Sequence, residues 1–126
     1  MNTHINAIRF SEYGSHQVLN CQSVALPTVG PHEVLVRNRA IGVNFIDTYH
    51  RTGLYPLSLP SGLGKEAAGI VEAVGDQVSQ YTVGDRVAYV NAPLGAYSQA
   101  HVVAEQALIK LPDNISFDMA AAMMLK

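Results

Sequence analysis

The sequence predicts a mainly β domain, either a barrel or a sandwich, and three observations support this class. Short apolar runs recur along the chain, with turn residues between them at intervals of about ten residues. No strand is followed by the glycine-rich turn and helix that mark alternating βα units. Helical character is confined to two short segments, residues 45–52 and 116–125.

Size and composition limit the classes of function. With 126 residues, 48% of them apolar and 14% charged, and a net charge of -2, the chain suits one folded domain with a modest core. This charge does not suit a surface for polyanions, so nucleic acid is not an expected partner. Cys21 is the single cysteine, which excludes an internal disulfide framework. Signal-peptide and membrane-spanning patterns are absent, so we expect a cytoplasmic protein without membrane contact.

Seven segments are predicted to be strands. Residues 5–10 and 18–26 should form a hairpin around a turn at 13–15. The segment 33–43 is the clearest strand, because apolar and polar side chains alternate in it and leave one face half solvated. The remaining predicted strands are 64–78, 86–91, 97–103 and 108–111, and the segment 54–64, rich in proline and glycine, is predicted to be a loop.

The stretch 64–78 carries three glycines within a small, apolar run. Gly64, Gly69 and Gly75 predict a bent, buried strand with a turn at each end, in which glycine makes room for a neighbouring group. Burial of an unpaired carboxylate costs several kcal/mol. Glu66 is therefore expected to have a partner and to lie near a site.

Two helices complete the predicted fold. Residues 45–52 should form one or two helical turns, with Asn44 as the N-cap and Gly53 at the end. Ser116 is suited to cap the second helix, in which residues 120–125 are apolar on every side. A helix shorter than about 12 residues is marginal in water. We therefore expect this helix either to fray or to be covered in a homodimer.

The segment 44–49 is the strongest candidate site. It places an amide, a carboxylate and a phenol, from Asn44, Asp47 and Tyr49, where a strand ends and a helical turn begins. The alternative interpretation is an ordinary capped helix with an exposed Asp47. A hydrolase site that pairs Asp47 with Glu66 has no other support in the sequence.

Two further site types are not supported. The five histidines show no metal-ligand spacing with one another or with Cys21, and no Cys-x-x-Cys occurs. Gly62-x-Gly64-x-x-Ala67 matches the loose dinucleotide fingerprint, but Pro60 precedes it and a strand follows it. We therefore interpret that match as accidental.

The order Gly64-x-Glu66-x-x-Gly69, followed by five residues and Gly75, resembles the signature of the medium-chain dehydrogenase/reductase superfamily. The neighbouring segments GVNFIDTY and RTGLYP make the chain similar to one branch of it, the quinone oxidoreductases or zeta-crystallin-like enzymes. The resemblance runs from residue 5 to the last residue of the sequence.

This resemblance implies a fold and an activity. The fold would be a GroES-like, partly open barrel with short helices and a C-terminal linking helix, which forms the N-terminal catalytic domain over residues 1–126 without the nucleotide-binding Rossmann domain. The intact enzyme would transfer hydride from NADPH to a quinone or a similar small electron-poor acceptor. The resemblance also implies catalytic roles for Tyr49 and Tyr55, and cofactor contacts from Asn44, Phe45, Ile46, Asp47, Thr48 and Tyr49.

The resemblance further implies that no zinc is bound. Zinc-dependent members of the superfamily hold catalytic zinc through a cysteine at the position of Asn44 and a histidine at the position of Lys65. A neutral amide and a cation cannot replace thiolate and imidazole. The four-cysteine lobe for structural zinc is absent too. Lys65 departs from the small or neutral residue usual in quinone reductases, and it could line the cleft, face solvent or pair with Glu66.

Two alternatives remain open. The chain length also suits a stand-alone GroES-like binding or assembly module without catalysis, although such a module has no need of the 44–49 segment. A relative acting on enoyl or other unsaturated carbonyl substrates is the other alternative. Whether the enzyme reduces quinones or unsaturated carbonyl substrates, these 126 residues alone are expected to be inactive, because they offer no loop for the pyrophosphate of NADPH.

Overall fold

The computed structural model describes residues 3–125, and within them eight strands form two antiparallel sheets. The strands are β1 (His4–Phe10), β2 (Asn20–Ala25), β3 (Glu33–Ile41), β4 (Ser61–Gly62), β5 (Ala67–Val74), β6 (Arg86–Tyr89), β7 (Ala100–Ala104) and β8 (Leu108–Lys110), and the helices are α1 (Phe45–Thr52) and α2 (Phe117–Met123). One sheet has the order β2-β1-β4 and the other β7-β3-β5-β6-β8. The predicted mainly β class, with short helices, is confirmed.

β5 is the central strand of the larger sheet, and its first half is buried between β3 and β6. Its pairing register with β3 shifts twice over residues 35–40, so the ladder is bent. A Cβ atom at Gly69 would lie 2.1 Å from the carbonyl oxygen of Arg37, a position that a side chain cannot take. The prediction of a bent, buried strand with glycine at a close approach is therefore confirmed, over a shorter range than 64–78.

The first two strands form the predicted hairpin, with Ile5 opposite Val24. The second strand starts later than residue 18, however, because His16–Val18 forms a 3₁₀ turn. The hydroxyl of Ser15 accepts a hydrogen bond from the backbone N–H of Gln17 and caps that turn. The local side-chain cap therefore outweighs the β propensity of Val18.

The loop predicted over 54–64 contains a short strand, β4, which pairs with the end of β1. Four other strands are shorter than predicted: β3 ends at Ile41, β6 ends at Tyr89, β7 begins at Ala100 and β8 ends at Lys110. These boundaries lie where the backbone leaves the ladder for other hydrogen bonds. The N–H of Gly42, for example, donates to the carbonyl oxygen of Glu66.

Apolar side chains cover both faces of the first half of β3. Val34 and Val36 are fully buried in the main core with Val71 and Val87. Leu35 on the opposite face is buried as well, against residues that include Ile5 and Ala100. The half-solvated face expected for this strand therefore begins only at Arg37, which pairs with Glu72 at 3.0 Å.

The larger sheet curls into a half-barrel, and α2 packs on it within the same chain. The hydroxyl of Ser116 accepts a hydrogen bond from Met119 N–H, which confirms the predicted cap. Ala120 and Ala121 are buried in a cluster with Ala68 and Ala88 of the larger sheet. The expectation that this helix frays is therefore wrong, whereas the homodimer stays a prediction. Neither helix within residues 3–125 has the length and apolar character needed to cross a membrane.

Candidate functional site

α1 begins and ends at the residues predicted from the sequence. Asn44 is extended, with φ of -129°, and its N–H donates to Oδ2 of Asp47 at 3.0 Å. Gly53 ends the helix in the left-handed region, with φ of 87°. The 44–49 segment is thus at the start of α1, and only two residues separate it from the end of β3.

The side chain of Asn44 is directed toward a buried glutamate. Its Nδ2 donates to Oε1 of Glu66 at 2.9 Å, and Glu66 has no exposed surface. The other carboxylate oxygen accepts hydrogen bonds from the backbone N–H groups of Met124 at 2.9 Å and Leu125 at 3.1 Å. Three neutral donors thus stabilise this carboxylate, and within residues 3–125 it makes no ion pair. The prediction that Glu66 has partners beside the candidate site is confirmed.

Asp47 is buried, so it is not the exposed carboxylate of an ordinary capped helix. Only 3% of its surface is accessible, and its Oδ2 accepts a 2.6 Å hydrogen bond from the hydroxyl of Tyr97. Burial, together with the hydrogen bond to Asp47 and its negative charge, raises the pKa of Tyr97. The phenol therefore stays protonated and remains a donor.

Sequence reasoning missed Tyr97, because the residue was interpreted only as part of an alternating strand. One signal was available in the glycine at position 64. Gly64 has φ of 95°, and a Cβ atom there would lie 2.3 Å from Cδ1 of the Tyr97 ring. The glycine thus makes room for the tyrosine that reaches Asp47.

An open cavity of about 650 Å³ lies beside the start of α1. Its lining residues are Val43, Asn44, Phe45, Ile46, Thr48, Tyr49 and Leu125. Five of the six predicted cofactor-contacting residues are therefore together on one wall. Asp47 is the exception, because its side chain is directed into the protein. Phe45 is 82% exposed, so this wall is largely apolar and accessible.

The two predicted catalytic tyrosines are in contact. The rings of Tyr49 and Tyr55 meet edge to face, with centroids 5.4 Å apart and planes at 65°. The N–H of Tyr55 donates to the carbonyl oxygen of Tyr49, and both rings are partly exposed. Tyr49 lines the cavity, whereas Tyr55 contacts Tyr49 and is not among the lining residues.

Residues 30–113 match the family model described as the alcohol dehydrogenase GroES-like domain. The chain belongs to this family. A quinone oxidoreductase of Pseudomonas aeruginosa is 60% identical over 120 residues, which are 94% of this chain and 37% of that protein. The resemblance to quinone oxidoreductases is confirmed, and the chain spans just over a third of the length of these relatives.

Solved structures give the same result for this GroES-like domain. The quinone oxidoreductase of Pseudomonas syringae pv. Tomato DC3000 superposes with a TM-score of 0.93 at 56% identity, over 95% of this chain and 37% of that one. The quinone oxidoreductase of Escherichia coli, solved in complex with NADPH, superposes with a TM-score of 0.93 at 47% identity, again over 95% and 37%. Over 95% of its length this chain thus has the fold of the matching 37% of these two relatives.

Lys65 of this GroES-like domain helps to lower the pKa of His50, the histidine of α1. His50 is largely buried and its pKa is lowered, first by burial and then by the positive charge of Lys65, against the opposing charge of Asp47. Lys65 forms no ion pair with Glu66. Among the described residues no three acidic, histidine or cysteine side chains are grouped as metal ligands. The absence of zinc stays a prediction.

Proposed function

We propose that residues 1–126 are the N-terminal catalytic domain of an NADPH-dependent quinone oxidoreductase whose nucleotide-binding domain lies outside them. The reaction is hydride transfer to a quinone or a similar small electron-poor acceptor. The observation that carries the proposal is the accessible cavity walled by residues 44–49 in a chain 60% identical to a quinone oxidoreductase. A stand-alone assembly module would not need such a wall.

The residues at this cavity fit the nicotinamide end of the cofactor. A flat ring with a carboxamide is suited by an apolar and aromatic surface that carries a few polar groups, here from Asn44, Thr48 and Tyr49. The pyrophosphate has no comparable place in residues 3–125. Gly62 and Gly64 lead into β5 and not into the N-terminus of a helix.

The protein contributes orientation and hydrogen bonding. When bound, NADPH supplies the hydride. Tyr49, supported by Tyr55, provides an aromatic surface against which the reacting groups are oriented, and positioning of this kind supplies roughly 7 to 11 kcal/mol of barrier reduction. The hydroxyl of Tyr49, on the cavity wall, is a donor for the oxygen that gains charge. No step uses a metal, because Asn44 and Lys65 offer neither thiolate nor imidazole.

The test compares this chain alone with the chain joined to the remainder of the Pseudomonas aeruginosa relative. NADPH oxidation is followed with benzoquinone and corrected for the uncatalysed reaction, and NADPH binding is titrated. We expect the chain alone to bind NADPH with millimolar or weaker affinity and not to turn over, because the phosphate anchor is missing. The joined protein should be active.

Two results would contradict the proposal. Micromolar NADPH binding with steady turnover by the chain alone would show that it is a complete catalyst. A folded joined protein without turnover on quinones or other electron-poor acceptors would favour the binding module. The remainder of the relative without this chain is the control for background oxidation.

A further inference from the structure

Tyr97 is anchored to the barrel by its backbone. Its N–H donates to the carbonyl oxygen of Leu63 at 2.9 Å, and its own carbonyl oxygen accepts from Ile8 N–H at 2.8 Å. The ring lies against Gly64, where no side chain could be accommodated. The hydroxyl is therefore held at a fixed place relative to β1 and to the segment that joins β4 to β5.

This hydroxyl meets the candidate site at one carboxylate oxygen. Oδ2 of Asp47 accepts from Tyr97 at 2.6 Å and from the N–H of Asn44 at 3.0 Å. Asp47 lies in the first turn of α1, and Asn44 is the N-cap of the same helix. A single buried oxygen thus joins the barrel, the cap and the first turn of the helix that walls the cavity.

We infer that Tyr97 is a positioning residue, which acts through Asp47 to fix Asn44 and the first turn of α1 at the cavity. Asp47 then serves the site from the interior and does not itself contact the ligand. The ligand part of this inference rests on the proposed function. The geometric part does not, because it concerns bonds within this chain.

Removal of the Tyr97 hydroxyl should weaken the hydrogen bonding around Asp47 without creating a cavity in the core. Tyr97→Phe keeps the ring against Gly64 but takes one of two donors from Oδ2 of Asp47, whose Oδ1 has no partner among the described residues. A buried carboxylate that loses a hydrogen-bond donor lowers its free energy by turning toward water. Such a movement would also withdraw the acceptor from Asn44.

The matched control is Tyr89→Phe. Tyr89 is fully buried, and its hydroxyl donates at 2.9 Å to Asn38, which is not part of α1. Both variants therefore lose one partly buried phenol hydrogen bond, but only one of them touches the site. A general loss of stability would affect both proteins alike.

The experiment uses NMR on the 126-residue chain. Amide hydrogen exchange at Asn44 should be about tenfold faster in Tyr97→Phe and unchanged in Tyr89→Phe, relative to the global exchange rate of each protein. NADPH binding is followed through the amide shifts of Thr48 and Tyr49. The NADPH concentration that gives half-saturation should rise by a similar factor only in Tyr97→Phe. In an Asp47→Ala background, Tyr97→Phe should have no further effect on Asn44.

Unchanged exchange at Asn44 in Tyr97→Phe would overturn the inference. If that variant does not fold, Asp47→Ala tests the link from Asp47 to Asn44 alone, and unchanged exchange at Asn44 there would overturn the inference. One result would separate the two claims. If NADPH does not shift the 44–49 amides, but exchange at Asn44 is faster in Tyr97→Phe, the proposed function is contradicted and the positioning role stands.

Discussion

Glu66 is the side chain at which three parts of the chain meet. It directly precedes β5, accepts a hydrogen bond from the N-cap of α1, and holds the backbone at Met124 and Leu125 just after α2. Gly42 lies against the same carboxylate, since a Cβ atom there would be 2.7 Å from Oε1. The buried charge is tolerated because three donors surround it.

Glu66→Gln should therefore be costly. The amide nitrogen would replace an acceptor at a place where every neighbour is a donor, so we expect a loss of about 1 to 3 kcal/mol in the free energy of unfolding. The measurement is urea denaturation. The control is Glu72→Gln on β5, which breaks the partly exposed pair with Arg37 and should cost about 0 to 1 kcal/mol. Equal losses in the two variants would contradict the role assigned to Glu66.

At the scale of elements, α2 and the larger sheet form one packing unit. The helix is too short to persist in water, so its order depends on the alanine surface that β5 and β6 present. The guanidinium of Arg86 adds to this packing, 4.6 Å from the centre of the Phe117 ring, and donates to the carbonyl oxygen of Ile115. α2 is thus fixed on the sheet, and the residues that bond Glu66 follow directly after it.

Ala120→Asp tests this docking. The new carboxylate would be buried without a partner, so we expect α2 to leave the sheet and its amides to lose protection from hydrogen exchange. Ala122→Asp, in the same helix at an exposed position, is the control and should change the free energy of unfolding by about 0.5 kcal/mol or less. Protection retained in Ala120→Asp would show that the helix is covered by something other than its own barrel.

At the scale of the whole molecule, exposed apolar side chains form a surface that includes part of the cavity wall. Val43 is 79% exposed, Phe45 82% and Leu54 65%, and all three flank or belong to α1. Large exposed apolar groups of this kind are typical of interaction sites. The reason first given for a homodimer, an uncovered C-terminal helix, no longer applies, because α2 is docked.

The homodimer stays a prediction, and for the chain without bound cofactor we place its interface on this apolar surface. Sedimentation velocity over a hundredfold range of concentration should show reversible association of the chain. Phe45→Ser should weaken the association, whereas Met119→Ser, which changes an exposed apolar residue on α2, should not. A monomer at every concentration, or equal effects of the two substitutions, would contradict this surface as the interface.

The sequence by itself determined the class of the fold and the place of the candidate site. Strand alternation, helix caps and turns depend on neighbours two to four residues apart, so they could be read directly at Asn44, Gly53 and Ser116. The three glycines of 64–78 likewise indicated a bent, buried strand. Where two local signals competed, as at the Ser15 cap and Val18, the boundary was misplaced.

The tertiary structure decided which side chains meet. Tyr97 and Asp47 are 50 residues apart in the chain, and Glu66 and Met124 are 58 apart. Such contacts depend on strand register and on the path of the loops, which no local pattern encodes. The same holds for the surface that receives α2, since it exists only once β5 and β6 have paired. Asp47 could therefore be placed at the site from the sequence, but only the folded chain turned it away from the cavity and toward Tyr97.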